Sequence, residues 1–171
     1  MKELLYRQFE FRSIRSEEAE QAAAIEQICF PPNEACSRDM MVQRVVIAPE
    51  LFLVAVDRAS GRIAGFLNGL ATKETVFRDE FFTDASLHDP AGHTVMLCGL
   101  DVLPEYRGRG LARELVSEYC RREREHGRKR LVLTCHDSKV DMYRKMGFRD
   151  LGESASAWGG EKWHDMECIL R

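Results

Sequence analysis

The sequence predicts a mixed α/β fold in which one sheet carries helices on both faces. Three observations predict it. Strand-like and helix-like segments follow the order β-α-α-β-β-β-α-β-α-β-β, so three strands run in succession before strand and helix alternate. The stretch Met96–Met146 passes from an apolar strand through a Gly-rich turn into a long amphipathic helix. The chain has 171 residues, 44% of them hydrophobic, which suits a single core. Neither an internal repeat nor a linker interrupts it, so residues 1–171 are expected to form a single domain.

Each element has a local reason. Phe9, Phe11 and Ile14 alternate with polar residues and predict a first strand over about Tyr6–Arg15. Ser16 is placed to cap a helix running to about Cys29, with Glu17 and Glu18 in its first turn and Ala22, Ile25 and Ile28 near one face. Phe30-Pro31-Pro32 ends that helix. Ser37 predicts the cap of a second helix over Arg38–Ile47. The run Leu51–Val56 reads as a buried strand, and Arg62–Leu70 as its hairpin partner after a turn at Asp57–Gly61. Thr72–Gly92 is acidic and lacks periodicity, and a loop of that length is more often functional than idle. Then come a strand over Val95–Val102, a helix over Leu111–His126 stopped by Gly127, and a strand over Arg130–Cys135. A short helix to about Met146, a strand from Phe148 to Gly152, a small-residue loop over Ser154–Lys162 and a last strand over Trp163–Leu170 complete the chain.

Composition excludes several classes. A formal net charge of −3 does not indicate a general nucleic-acid surface. The basic run Arg121–Arg130 is interrupted by Glu123 and Glu125 and reads as a solvated helix face. Six cysteines lie at positions 29, 36, 98, 120, 135 and 168, with no Cys-x-x-Cys pair and no His cluster, so neither a zinc site nor another metal is expected. No run approaches the ~20 apolar residues that span a membrane, and the N-terminus lacks an apolar signal core. A soluble cytoplasmic location is expected.

The turn Pro104–Ala112 carries the chemistry. A Gly-rich turn opening a helix leaves backbone N–H groups unpaired at the positive end of the helix dipole, which makes an anion site. Gly108 and Gly110 let the backbone approach a ligand, and Arg107, Arg109 and Arg113 add positive charge. Arg107, Gly110 and Ala112 fill the Arg/Gln-x-x-Gly-x-Gly/Ala signature, so the chain resembles the GNAT acetyltransferase superfamily. A second match follows at Val140–Phe148, the family's helix-to-strand segment. The resemblance covers nearly the whole chain and is sharpest from Thr94 to Leu151.

That resemblance implies a mostly antiparallel sheet of about seven strands, splayed at a bulge. It implies acetyl-coenzyme A as cosubstrate, without a metal, and direct transfer of its acetyl group to a primary amine. Leu100, Asp101, Val102, Arg107, Gly108, Arg109, Gly110, Leu111, Ala112 and Arg113 are the implied coenzyme-binding residues. The backbone of Leu100 would face the thioester carbonyl, and that of Val102 would pair with the pantetheine arm. Tyr143 is the implied general acid for the departing thiolate; a packed Tyr with its hydroxyl on backbone is the alternative.

The central strand and the tail Gly152–Met166 are similar to non-vertebrate and microbial arylalkylamine N-acetyltransferase-like members, as is His88–Gly92. The two strand histidines of the vertebrate enzymes correspond to Met96 and Cys98, so that proton relay is absent. Glu34 is the expected replacement base, with an exposed loop acid as the plain alternative; His136 can titrate near neutrality or simply cap a strand end. Asp101 lies beside Leu100 but should point to the other face by alternation. Cys98 reads as a small core residue. Trp163 reads as packing, and Trp158 is open between packing and an amine site. A small-molecule amine is the expected substrate, an arylalkylamine or a polyamine. A protein-acetylating enzyme and a non-catalytic coenzyme A sensor are the alternatives. Pairing of strand edges into a homodimer is an outcome this architecture allows.

Overall fold

The apolar run Phe52–Val56 and the wholly buried segment Ile63–Thr72 have no polar face to offer water, so they form the middle of a sheet. A computed structural model describes residues 2–171. In it the strands are β1 (Phe9–Ser13), β2 (Phe52–Asp57), β3 (Ile63–Thr72), β4 (Thr94–Val102), β5 (Arg130–Cys135), β6 (Arg149–Glu153) and β7 (His164–Ile169). They form one seven-stranded sheet in the order β1-β2-β3-β4-β5-β7-β6. Every neighbouring pair is antiparallel except β4 and β5, which are parallel.

Six helices accompany the sheet among the described residues: α1 (Lys2–Gln8), α2 (Ala19–Cys29), α3 (Arg38–Ile47), α4 (Glu80–Thr83), α5 (Leu111–Glu125) and α6 (Val140–Lys145). Helices α2 and α3 pack on each other and on β3 and β4, while α5 covers β2, β3 and β4 from the other side. The mixed sheet with helices on both faces is therefore the fold observed. Ser37 caps α3 as expected, its hydroxyl accepting the Met40 N–H at 3.2 Å.

Three local expectations are corrected. Residues 2–8 are helix, and the first strand begins only at Phe9. Tyr6 is held by tertiary contacts, its hydroxyl donating to Glu118 Oε2 at 2.8 Å and Glu114 Oε1 at 3.0 Å on α5. Ser16 is not a helix cap. It opens a single 3-10 turn over Ser16–Glu18, and the Glu18 carboxylate accepts the Arg15 N–H at 2.8 Å instead. The connection between β3 and β4 is not a plain loop, because Phe77, Phe81 and Phe82 are buried and α4 sits within it. The basic run is only partly a solvated helix face: half-exposed Arg121 bridges Glu118 and Glu125 on α5, whereas Arg128 lies beyond the helix end and pairs with Glu123 out of solvent.

The anchoring of this connection is testable. Phe81 is fully buried and packs 5.9 Å, centroid to centroid, from Phe77. Phe81→Ala is expected to lower stability by about 3–5 kcal/mol in urea denaturation, far more than truncation in a solvated loop would.

Candidate functional site

The site begins where two strands part. β4 and β5 pair only over Thr94–Met96 and Arg130–Val132. Past that point β4 stays on β3 to Val102 and β5 stays on β7 to Cys135. Each strand keeps its outer ladder while the inner edges separate. One extra β4 residue, Cys98, lies between the pairs Asn68–Gly99 and Gly69–Leu97, a bulge that re-aims the strand. The wedge between the strands opens into a cavity of about 440 Å³, lined on one side by Leu97–Leu100 and on the other by Leu133–His136.

Backbone direction within the wedge follows from alternation. The Val102 carbonyl accepts from Arg107 Nε at 2.8 Å and from Cys29 Sγ at 3.4 Å, while the next residue, Leu103, donates its N–H to Ala64 on the β3 side. Val102 therefore faces away from β3, and Leu100, two residues earlier, faces the same way. The Asp101 side chain points between them toward α2, is 1% exposed and does not line the cavity.

The turn before α5 is built from left-handed backbone. Gly108 has φ 79° and Gly110 has φ 84°, values that favour glycine. Gly110 is the N-cap residue and offers no side-chain cap. The first helical hydrogen bond is Glu114 N to Gly110 O at 3.1 Å, so the N–H groups of Leu111, Ala112 and Arg113 have no partner within the helix. Open space lies in front of both glycines. Such a nest suits a pyrophosphate. Arg107 and Ala112 line the cavity, and Arg113 is exposed at the helix start. The Arg109 guanidinium instead turns back to the Glu105 carbonyl at 3.1 Å and lies over the Tyr106 ring.

Glu34 and His136, 102 residues apart in sequence, meet at the cavity wall with His136 Nε2 2.8 Å from Glu34 Oε1. Trp163 stacks on the imidazole at 4.2 Å between ring centroids. Trp158 donates its indole N–H to the Glu34 carbonyl at 2.8 Å and packs against Phe82. Both tryptophans line the cavity, so Trp163 is packing and wall at once. The β3–β4 connection and the tail loop close over this end, Ala157 N–H donating to Asp79 Oδ2 at 3.2 Å.

Tyr143 reaches the cavity from α6. Its ring meets Phe148 edge-on at 5.6 Å, and its hydroxyl has no hydrogen-bond partner among the described residues. Burial pushes that hydroxyl above the usual tyrosine range, with Cys135 and Asp101 adding to the shift, so it stays protonated at neutral pH. Burial likewise raises the Cys98 thiol, which rests on the Phe81 carbonyl at 3.4 Å and is no poised nucleophile.

The sequence reading missed Glu26, a buried acid on α2 that lines the cavity. A signal existed: Glu26 sits four residues after Ala22 and three before Cys29, on the apolar stripe of its helix.

Comparison with known proteins agrees with this geometry. The family model described as "Acetyltransferase (GNAT) family" matches residues 11–148. The serotonin N-acetyltransferase of Mesocricetus auratus is 29% identical over 167 residues, covering 95% of this chain and 78% of that protein. The mycothiol acetyltransferase of Thermobifida fusca (strain YX) is 37% identical over 116 residues, 65% of this chain, which span only 32% of that protein's length. Among solved structures, the GphF GNAT-like decarboxylase in complex with isobutyryl-CoA superposes with a TM-score of 0.79 at 20% identity, covering 95% of this chain and all of that one. The putative acetyltransferase yncA from Salmonella typhimurium, bound to acetyl-CoA, gives 0.66 at 16% identity, covering 95% and 94%. These two likenesses are of fold.

The turn glycines give a clean stability test. Because an added Cβ at Gly108 or Gly110 would meet nothing within 4 Å, only backbone strain opposes it. Gly108→Ala and Gly110→Ala are each expected to cost about 1–2 kcal/mol in chemical denaturation.

Proposed function

The chain belongs to the GNAT acetyltransferase family, whose members use acetyl-coenzyme A as acetyl donor, and on that premise we propose that it acetylates the primary amine of a small molecule. The observation that carries this reading is a partly open cavity that reaches Arg107 and Ala112 of the pyrophosphate-type nest and is walled by Phe82, Trp158 and Trp163. An arm extended through the wedge would run from the turn toward Tyr143 and the Glu34–His136 pair. The closure by Phe82, Asp79 and the tail loop favours a compact acceptor over a polypeptide, which would require an open groove.

The residues divide the work. The amides of residues 108–113, with Arg107 beside them, hold the pyrophosphate. Acetyl-coenzyme A supplies the acetyl group as a thioester. The Leu100 N–H, facing the wedge, polarises the carbonyl, and Val102 aligns the arm. Tyr143 donates its proton to the departing sulfur. Glu34 and His136 take a proton from the incoming ammonium at the half-exposed rim. Two acidic groups beside the acceptor end, Glu34 and Glu26, suit a cationic amine.

Thiol release from acetyl-coenzyme A across arylalkylamines, polyamines and a Lys peptide tests the reaction and the acceptor class together. Turnover with the peptide alone would overturn the small-molecule reading. Tight coenzyme binding with no turnover on any acceptor would favour a sensor. For an amine that reacts, Tyr143→Phe is expected to lower kcat by about 100-fold or more with coenzyme affinity by calorimetry unchanged. Glu34→Gln should lower kcat/KM for the amine in the same assay.

A further inference from the structure

Two acids lie within the core at the cavity, and the roles above give neither of them a proton to move. Glu26 on α2 is 3% exposed and Asp101 on β4 is 1% exposed. Glu26 Oε2 accepts the Cys36 N–H at 3.0 Å. Glu26 Oε1, both Asp101 carboxyl oxygens and Asn68 Nδ2 have no hydrogen-bond partner among the described residues. These groups converge on Gly99. A Cβ built there would stand 3.2 Å from Asp101 Oδ1 and 3.6 Å from both Asn68 Nδ2 and Glu26 Oε1. Glu26 and Gly99 both line the cavity.

Two buried carboxylates with one donor between them, the Cys36 N–H, would be strongly destabilising. They satisfy each other only by holding a proton between them. Burial, followed by the neighbouring Glu26, keeps the Asp101 carboxyl well above the usual carboxylate range. The remaining negative charge is balanced by Arg44 on α3, 2% exposed, whose guanidinium donates to Asn68 Oδ1 at 3.3 Å and to Cys36 Sγ and the Phe82 carbonyl at 2.9 Å each. The other titratable groups around the pair are Cys29 on α2, Cys36 in the α2–α3 connection, Cys98 on β4 and Tyr143 on α6.

We propose that Glu26, positioned by Asp101, is an inner proton acceptor of the acyl transfer, reached from the acceptor nitrogen directly or through one water seated against Gly99. This rests on the N-acetyltransferase reading. A protonated primary amine must lose two protons to become a neutral amide. Glu34 and His136 take the first at the rim and pass it to solvent, freeing the lone pair. The nitrogen then bonds to the carbonyl carbon and the carbon–sulfur bond breaks, with Tyr143 protonating the sulfur. Glu26 takes the nitrogen's second proton and returns it to Tyr143. One proton leaves to solvent, one ends on the thiol, and the enzyme regains its starting state.

The shared proton can be read without any acceptor. Infrared spectra of the wild type at neutral pH are expected to show a protonated buried carboxyl band that Asp101→Asn removes. For an amine that reacts, Glu26→Gln, which keeps an oxygen for the Cys36 N–H, is expected to lower kcat by about 100-fold or more with KM for acetyl-coenzyme A unchanged. Glu26→Asp should recover part of that loss. Asp101→Asn should displace the acid limb of the kcat–pH profile, which a packing residue would leave in place. Near-UV circular dichroism checks that each variant is folded, and Asp101→Asn alone decides the matter if the Glu26 variants are not. The proposal is overturned by an active enzyme lacking the carboxyl band, or by folded variants with wild-type kcat and an unmoved acid limb. A wild type that shows the band but turns over no amine would instead sink the acetyltransferase reading, and the acceptor role of Glu26 with it.

Discussion

The parting of β4 from β5 is the constraint on which the site depends. A parallel pair that stops after Met96 and Val132 leaves two inner strand edges facing each other with polar backbone groups to satisfy. The separation is held from outside. β4 stays on β3 and β5 stays on β7, so neither strand can swing in to close the gap without giving up a full ladder. The bulge at Cys98 sets the point where the inner edge of β4 turns into the wedge. An extended ligand arm bearing amides is the chemical complement of such a gap. The nest before α5 lies at the end of the same strand, so one segment, Thr94–Arg113, carries both the wedge and the anion site.

What the wedge joins could be read from the sequence only in part. The apolar run at Leu51–Val56, the hairpin after it and the strand–turn–helix around Gly108 and Gly110 are governed by local rules, and the structure keeps them within a residue or two. Ser37 as a cap is the same kind of inference. Where a distant partner decides, the local signal fails. Alternation at Phe9 and Phe11 is real, but it does not extend back to Tyr6, which is out of step with it. Its hydroxyl is drawn to two α5 carboxylates more than 100 residues away, and the segment before Phe9 is helix. Ser16 offers a reasonable cap, yet the Glu18 carboxylate reaches the backbone first.

The site shows the same division. The turn residues and Tyr143 lie in contiguous motifs and were legible, whereas the Glu34–His136 contact joins a post-helical loop to the end of β5 and leaves no periodic trace. Alternation did predict that Asp101 points away from the faces of Leu100 and Val102. What it could not supply was the destination, because Glu26 is 75 residues earlier on another element. Only the oddity of an acid on each of two apolar stripes marked them, and an oddity in one place does not announce its partner in the other.

The two acidic pairs differ in a way that matters for chemistry. Glu34 and His136 sit at the rim, with a third of the His136 side chain open to water, so a proton received there can leave. Glu26 and Asp101 are sealed beneath α2, where a proton has nowhere to go but back into the cavity. A buried acid pair is tolerable here because Arg44 is buried with it and tied to Asn68, Cys36 and the backbone of Phe82. That Arg44 contact also binds the connection over the cavity to the polar cluster beneath it. Loss of the Arg44 charge would leave the acids uncompensated and unpin Phe82 from the cavity wall together. Charge balance in the core and closure of the acceptor end are thus one structural arrangement.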